Sequence, residues 1–137
     1  MKTIVVGYDD TEPSMRALQR VIELAKAFGA DVVAVSAARP LAPAGRGIGP
    51  IDPTDPPELH REELRRAKAI LDEQDVAASF EVGLGDPVDL ILEVADRRDA
   101  DMIVVGTREP GLVSRLLGLS VRETVQRRAR CDVLIVH

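Results

Sequence analysis

Ile4-Val5-Val6-Gly7, then Met15, Leu18, Val21, Ile22, Leu24 and Ala25 at helical spacing up to Gly29, then Val32-Val33-Ala34-Val35, is the stretch that decides the fold. A short β-branched run, an amphipathic helix with a glycine stop and a second β-branched run read as one β-α-β unit. The alternation continues outward from it. Residues 57–74 place Leu59, Leu64, Ala67, Ile70 and Leu71 along one helical stripe, and Ser79-Phe80-Glu81-Val82 alternates as a weaker, peripheral strand. Val88, Ile91, Leu92 and Ala95 mark a third helix before Met102-Ile103-Val104-Val105. Val121, Thr124 and Val125 lie on a last helix before Val133-Leu134-Ile135-Val136.

Runs apolar on both faces and joined by helices require a parallel sheet covered on both sides. Right-handed crossovers then restrict the topology. The reading is an α/β fold, a three-layer doubly wound sandwich around a five-stranded parallel sheet, with residues 1–137 as one domain. Local signatures mark the helix starts. Asp55-Pro56-Pro57-Glu58 and Asp86-Pro87 each put a capping carboxylate before proline, and Ser120-Val121-Arg122-Glu123 is a capping box. Thr11 is the expected cap of the first helix, with Pro13 in its first turn. Six of the nine prolines fall in residues 39–57, which read as a flexible Pro/Gly-rich segment.

Composition narrows the function classes. A net charge of −5, with 18 basic against 23 acidic residues, gives no electrostatic footprint for nucleic acid or anionic lipid. Two Phe, one Tyr and no Trp leave almost no stacking platform for single strands. A single cysteine, Cys131, and two separated histidines, His60 and His137, give metal or disulfide chemistry little to build on. No apolar run reaches the roughly 18–20 residues of a membrane span. The expectation is a cytoplasmic protein with no membrane or nucleic-acid partner.

In an open parallel sheet, ligands bind beyond the carboxyl ends of the strands, where strand order reverses. Three segments are placed at that edge: Gly7-Tyr8-Asp9-Asp10-Thr11, Ser36-Ala37-Ala38-Arg39 and Gly106-Thr107-Arg108-Glu109. Asp9 stands open between a ligand contact and a local structural role. Gly106, Gly111 and Gly118 fit backbone amides approaching a phosphate, with the Ser120 helix start adding partial positive charge. They fit equally a loop that needs positive φ angles, so spacing alone is a weak signal. Arg108 and Arg115 suit a phosphate or plain solvent. With no His or reactive Cys nearby, nucleophilic and general-base catalysis are disfavoured.

Ile4-Val5-Val6-Gly7-Tyr8-Asp9-Asp10-Thr11, Ala100-Asp101-Met102-Ile103-Val104-Val105-Gly106-Thr107-Arg108 and Cys131-Asp132-Val133-Leu134-Ile135-Val136 together resemble the universal stress protein family. The likeness covers nearly the whole chain and fails only across 39–57. It implies a Rossmann-like sheet of the adenine nucleotide hydrolase-like superfold, ordered 3-2-1-4-5, usually dimeric, with some members binding ATP or AMP and others not. Binders in that family carry Gly, two residues, Gly, nine residues, then Gly-Ser or Gly-Thr. Here Gly106 takes the first place, the second falls on Glu109, and the third falls on Leu119 before a matching Ser120.

The resemblance therefore implies a partly kept nucleotide site of Asp9, Ala37, Gly106, Thr107, Arg108, Gly118, Ser120 and Val121. Its ligand would be ATP or AMP, with Mg²⁺ beside Asp9 if ATP and no other metal. A carboxylate at Glu109 would repel a triphosphate, and Leu119 puts a Cβ where backbone approaches oxygen. The expected function is a non-catalytic stress-response protein sensing adenine nucleotide, with weak ATP hydrolysis left open. One alternative is a dimeric scaffold of the same fold that binds none. Another is a phosphoacceptor switch, since Tyr8-Asp9-Asp10 is similar to the acidic start of receiver domains. That chemistry lacks its further aspartate and its lysine, because Lys2, Lys26 and Lys68 all lie in the first half. Val133, Leu134, Ile135 and Val136 form a hydrophobic strand at a predicted sheet edge, which points to a homodimer pairing there.

Overall fold

The computed structural model describes residues 1–38, 57–107 and 121–137, without the side chains of Pro57 and Val121. In chain order the elements are β1 (Thr3–Gly7), α1 (Glu12–Phe28), β2 (Asp31–Ala38), α2 (Pro57–Glu73) and β3 (Ala78–Leu84). They continue as α3 (Pro87–Arg97), β4 (Met102–Gly106), α4 (Val121–Arg128) and β5 (Asp132–Val136). The strands form one parallel sheet ordered β3-β2-β1-β4-β5, the order that the resemblance implies.

Alternation along each strand builds two cores. Ile4, Val6, Tyr8, Val32, Ala34 and Val104 face α1 and α2, where Leu18, Val21, Leu64 and Leu71 are buried against them. Val5, Val33, Val35, Ile103 and Val105 face the other way, onto Ile91, Leu92 and Ala95 of α3 and Val125 of α4. Burying each such side chain contributes about 1.5–3 kcal/mol, so the three inner strands β2, β1 and β4 carry most of the stabilisation. The outer strand β3, the weakest in the sequence, has only half-buried and exposed positions.

Several local readings need correction. Thr11 stands at the N-cap of α1, but its side chain makes no capping bond; its hydroxyl turns back to Asp9. Asp86 does cap α3, accepting from the N–H groups of Val88 and Asp89. The proposed caps Asp55 and Ser120 lie outside the described residues. Leu59 is 43% exposed and not on the buried stripe of α2, which runs through His60, Glu63, Leu64, Ala67 and Leu71. Ser36, Ala37 and Ala38 belong to β2, paired with Val82, Gly83 and Leu84, rather than to a segment beyond it. Pro57 begins α2 and so does not belong to the preceding segment.

The ladders position the site. β1 pairs β2 from Thr3 through Gly7, and β4 pairs β5 from Met102 through Gly106. Between β1 and β4 the register covers only Ile4, Val5 and Val6 against Met102, Ile103 and Val104. Beyond that point each strand bonds outward: the Tyr8 N–H donates to Val35 O, and the Thr107 N–H donates to Val136 O. The two central strands separate at their carboxyl ends, where the chain reverses its winding direction across the sheet.

Candidate functional site

Asp9 leaves β1 on one side of this separation, and Thr107 leaves β4 on the other. The Asp9 carboxylate Oδ1 accepts from the Thr11 N–H at 3.2 Å and from the Thr11 hydroxyl at 2.5 Å. Ser14 Oγ in turn donates to the Thr11 carbonyl. The loop is therefore folded around the Asp9 carboxylate. On the other side, a Cβ on Gly106 would meet the Pro13 carbonyl oxygen at 2.2 Å. Gly106 is thus required by the first turn of α1 lying against the end of β4. That is a packing reason for a residue which the sequence offered as a phosphate contact.

Ala37 sits on β2 opposite Gly83, near the carboxyl end of that strand. Val121 opens α4. Arg108, Gly118 and Ser120 lie outside the described residues, as do Glu109, Arg115 and Leu119. The structure thus brings Asp9, Ala37, Gly106 and Thr107 to one sheet edge.

Polar side chains gather beside Asp9: Tyr8, Asp10 and Ser36, from segments the sequence places at this edge, are joined by His60, Glu63 and Arg66 of α2, of which sequence reasoning singled out neither Glu63 nor Arg66. The buried Tyr8 hydroxyl donates to Asp10 Oδ1 at 2.8 Å and lies 3.1 Å from Met15 Sδ. Arg66 of α2 reaches across to Asp10 Oδ2 at 2.9 Å. Below them, His60 Nδ1 lies 2.7 Å from Ser36 Oγ and 3.1 Å from Glu63 Oε2, all three side chains buried. Their signal in the sequence is positional: 60, 64, 67 and 71 share one helical face, and Ser36 continues the alternation of Val32 and Ala34.

Electrostatics follow from this crowding. Burial pushes the Glu63 carboxyl above its usual range; His60 pulls it down, while Asp9 and Asp10 push it up again. Burial, the Asp10 bond and the Asp10 charge raise the Tyr8 phenol well above its ordinary value. Such shifts favour a neutral phenol and resist charging of Glu63. Ser36, His60 and Glu63 do not form a nucleophilic relay. Serine and acid meet the same ring nitrogen, whereas a relay uses one nitrogen for each. Cys131, beside the start of β5, has its thiol pushed up by burial, then by Asp132 and Asp96, which disfavours the reactive thiolate.

Two shallow grooves of about 330 and 350 Å³ lie elsewhere. One runs along Met15, Gln19 and Val136, and the other borders Thr3, Asp31 and Arg98 at the amino ends of the strands. Neither includes Asp9, Ala37 or Thr107. Among the described residues, no helix is long and apolar enough to cross a membrane.

A family profile described as "Universal stress protein family" matches residues 1–137. The chain belongs to the universal stress protein family. It is 35% identical to a universal stress protein of Mycobacterium tuberculosis, over 99% of this chain and 96% of that one. A universal stress protein solved in complex with cAMP is 35% identical, covers 99% of this chain and 96% of its own, and superposes with a TM-score of 0.71. A universal stress protein from Archaeoglobus fulgidus is 26% identical, covers 100% of this chain and 94% of its own, and superposes with a TM-score of 0.76. The Rossmann-like parallel sheet is shared with these members of the family.

Proposed function

We propose that this chain is a non-catalytic stress-response protein that binds an adenine nucleotide at the parting of β1 and β4. The observation that carries the reading is Asp9, held by Thr11 at the exit of β1, where the β1–β4 ladder has ended. The cAMP complex of a relative 35% identical to this chain supports an adenine ligand. Asp9 and Ala37 would meet the sugar and base, with Gly106, Thr107, Arg108, Gly118, Ser120 and Val121 on the phosphate side. AMP, cAMP and ATP are the ligands to compare, ATP together with Mg²⁺. A cytoplasmic setting suits this ligand class. The absence of a relay at Ser36, His60 and Glu63 supports binding without turnover.

Titration calorimetry with each nucleotide tests this reading. Binding that Asp9→Ala weakens at least tenfold is expected, a loss of about 1.4 kcal/mol. Heat from none of the three, with melting temperature unmoved by millimolar ligand, leaves only the scaffold reading. Steady phosphate release from ATP, abolished by Asp9→Ala, would overturn the non-catalytic part.

We propose a homodimer through β5 on separate grounds. β5 is terminal in the sheet order, and Val133, Leu134, Ile135 and Val136 are only half-buried. A hydrophobic edge strand of this kind favours pairing with a second copy. Leu134→Asp should shift sedimentation from dimer to monomer. A parent chain that sediments as a monomer contradicts the arrangement.

A further inference from the structure

We propose that Tyr8 and Arg66 are positioning residues: together they lock Asp10 in a left-handed conformation and so aim the neighbouring Asp9 carboxylate at the ligand. The proposal rests on the nucleotide reading above and adds the residues that set its geometry. Asp10 has φ 61, as do few residues with a Cβ. Asp75 and Asp99 also have positive φ, but they follow α2 and α3, where helix ends commonly turn left-handed. Asp10 instead precedes a helix, and its conformation sets the direction in which the chain leaves Asp9.

Both oxygens of the Asp10 carboxylate are engaged, and from different elements. Oδ1 takes the hydroxyl proton of Tyr8, which is 2% exposed and fixed in the core. Oδ2 takes the guanidinium of Arg66, carried on α2. A carboxylate held at both ends cannot swing, so the backbone beneath it cannot relax to a right-handed conformation without breaking two bonds. Asp9, one residue upstream, is fixed by the same constraint and by its own bonds from Thr11. The loop is preorganised, and preorganisation lowers the ordering cost of binding. The Arg66 contact also ties α2 to the loop after β1, so a displacement of α2 is felt at Asp9.

The test reads cAMP affinity by calorimetry in the parent chain, Arg66→Ala, Arg66→Lys, Tyr8→Phe, Asp10→Gly and the double variant Asp10→Gly/Arg66→Ala. Arg66 is half exposed, so its removal leaves the fold intact and weakens binding about fivefold, the scale of one such ion pair. Arg66→Lys restores most of the loss, because the contact uses a single nitrogen. Glycine reaches the left-handed region without help, so in the Asp10→Gly background Arg66→Ala changes nothing further. Tyr8 is the only tyrosine in a chain without tryptophan, so its emission reports the latch directly. Arg66→Ala should alter that emission before ligand is added.

Unchanged affinity in Arg66→Ala, with the parent binding cAMP, overturns the latch alone. An equal fivefold loss in the Asp10→Gly background also overturns it, since Arg66 would then act on the ligand itself. No binding by the parent chain overturns the functional reading and the latch with it.

Discussion

β1 and β4 are adjacent, parallel and both end in glycine, yet their exits are held by different physics. Beyond Gly7 the chain is organised by side chains: Thr11 on Asp9, and Tyr8 and Arg66 on Asp10. At the end of β4, past its last residue paired with β1, the constraint is steric, with Gly106 against the Pro13 carbonyl. A loop held by polar side chains can be retuned one residue at a time. A backbone contact with no room for a methyl group cannot. The contrast separates an adjustable exit from a fixed one.

The sharpest way to break the comparison is to add one methyl group at each exit. Gly106→Ala must push the first turn of α1 away from β4, because the obstructing atom is backbone. It should cost about 3 kcal/mol in urea unfolding. At Gly7 the nearest obstacle is Ile91 Cδ1 at 3.0 Å, the far end of a flexible side chain. Gly7→Ala should therefore stay within about 1 kcal/mol of the parent. Equal losses would mean that both exits are held sterically.

The second prediction concerns Tyr8, the buried half of the polar exit. Removing the hydroxyl in Tyr8→Phe should cost about 1 kcal/mol, the net worth of one hydrogen bond. Because its phenol is raised in the folded chain, Tyr8 stays neutral where an unfolded tyrosine ionises. The linked stability is fully present below the unfolded value near pH 10 and is lost as pH rises beyond it. Phenolate absorbance of this lone tyrosine should therefore lag behind that of the urea-unfolded chain. Coincident titrations would contradict the buried bond to Asp10.

Why the exits differ was only partly legible in the chain. Strands β1, β2, β4 and β5 announced themselves as β-branched runs, and their number and alternation with helices led directly to a parallel sandwich. Asp9 was legible by its place after β1. The polar contacts around it were not, because they join distant positions: Ser36 meets His60 24 residues on, and Asp10 meets Arg66 of another element. Leu59 misled because hydrophobicity was weighed one residue at a time, whereas the buried face of α2 begins at His60 and accepts Glu63. Thr11 misled because a hydroxyl at a cap position has a competitor when an acid stands two residues before it. Gly106 was recognised as special, but its cause, the Pro13 carbonyl, depends on how α1 docks.

The third prediction tests the acidic crowding beneath the adjustable exit. Glu63 has its carboxyl raised in the fold, so its neutral form is favoured there. Its linked contribution to stability is fully present below the unfolded carboxylate range near pH 4.3 and is lost as pH rises through the folded value. Glu63→Gln removes this titration and should flatten the pH dependence of unfolding above pH 4.3. His60 and Ser36 keep hydrogen-bond partners in that variant, since the amide can donate or accept. A steeper profile in Glu63→Gln than in the parent would reverse the sign and contradict the crowding.

The smallest effect is expected at the opposite end of the same two strands. There β1 and β4 are drawn together: Asp101 Oδ2 accepts from the N–H groups of Lys2 and Thr3 at 2.6 and 3.0 Å, and the Asp101 N–H donates to Thr3 O. Those bonds hold the Asp101 carboxyl below its usual range, the Lys2 N–H contributing most and the Thr3 N–H next. The stability linked to a lowered carboxyl is present above its unfolded value and is lost as pH falls through the folded one. Asp101→Asn should therefore leave acid unfolding less steep while changing neutral stability little, since the side chain is exposed and the amide oxygen can still accept. Nucleotide affinity should not change, because the tie lies at the amino ends. An affinity loss in this variant would mean that closing the strands at their entry helps to open them at their exit, so that the two ends act as one lever.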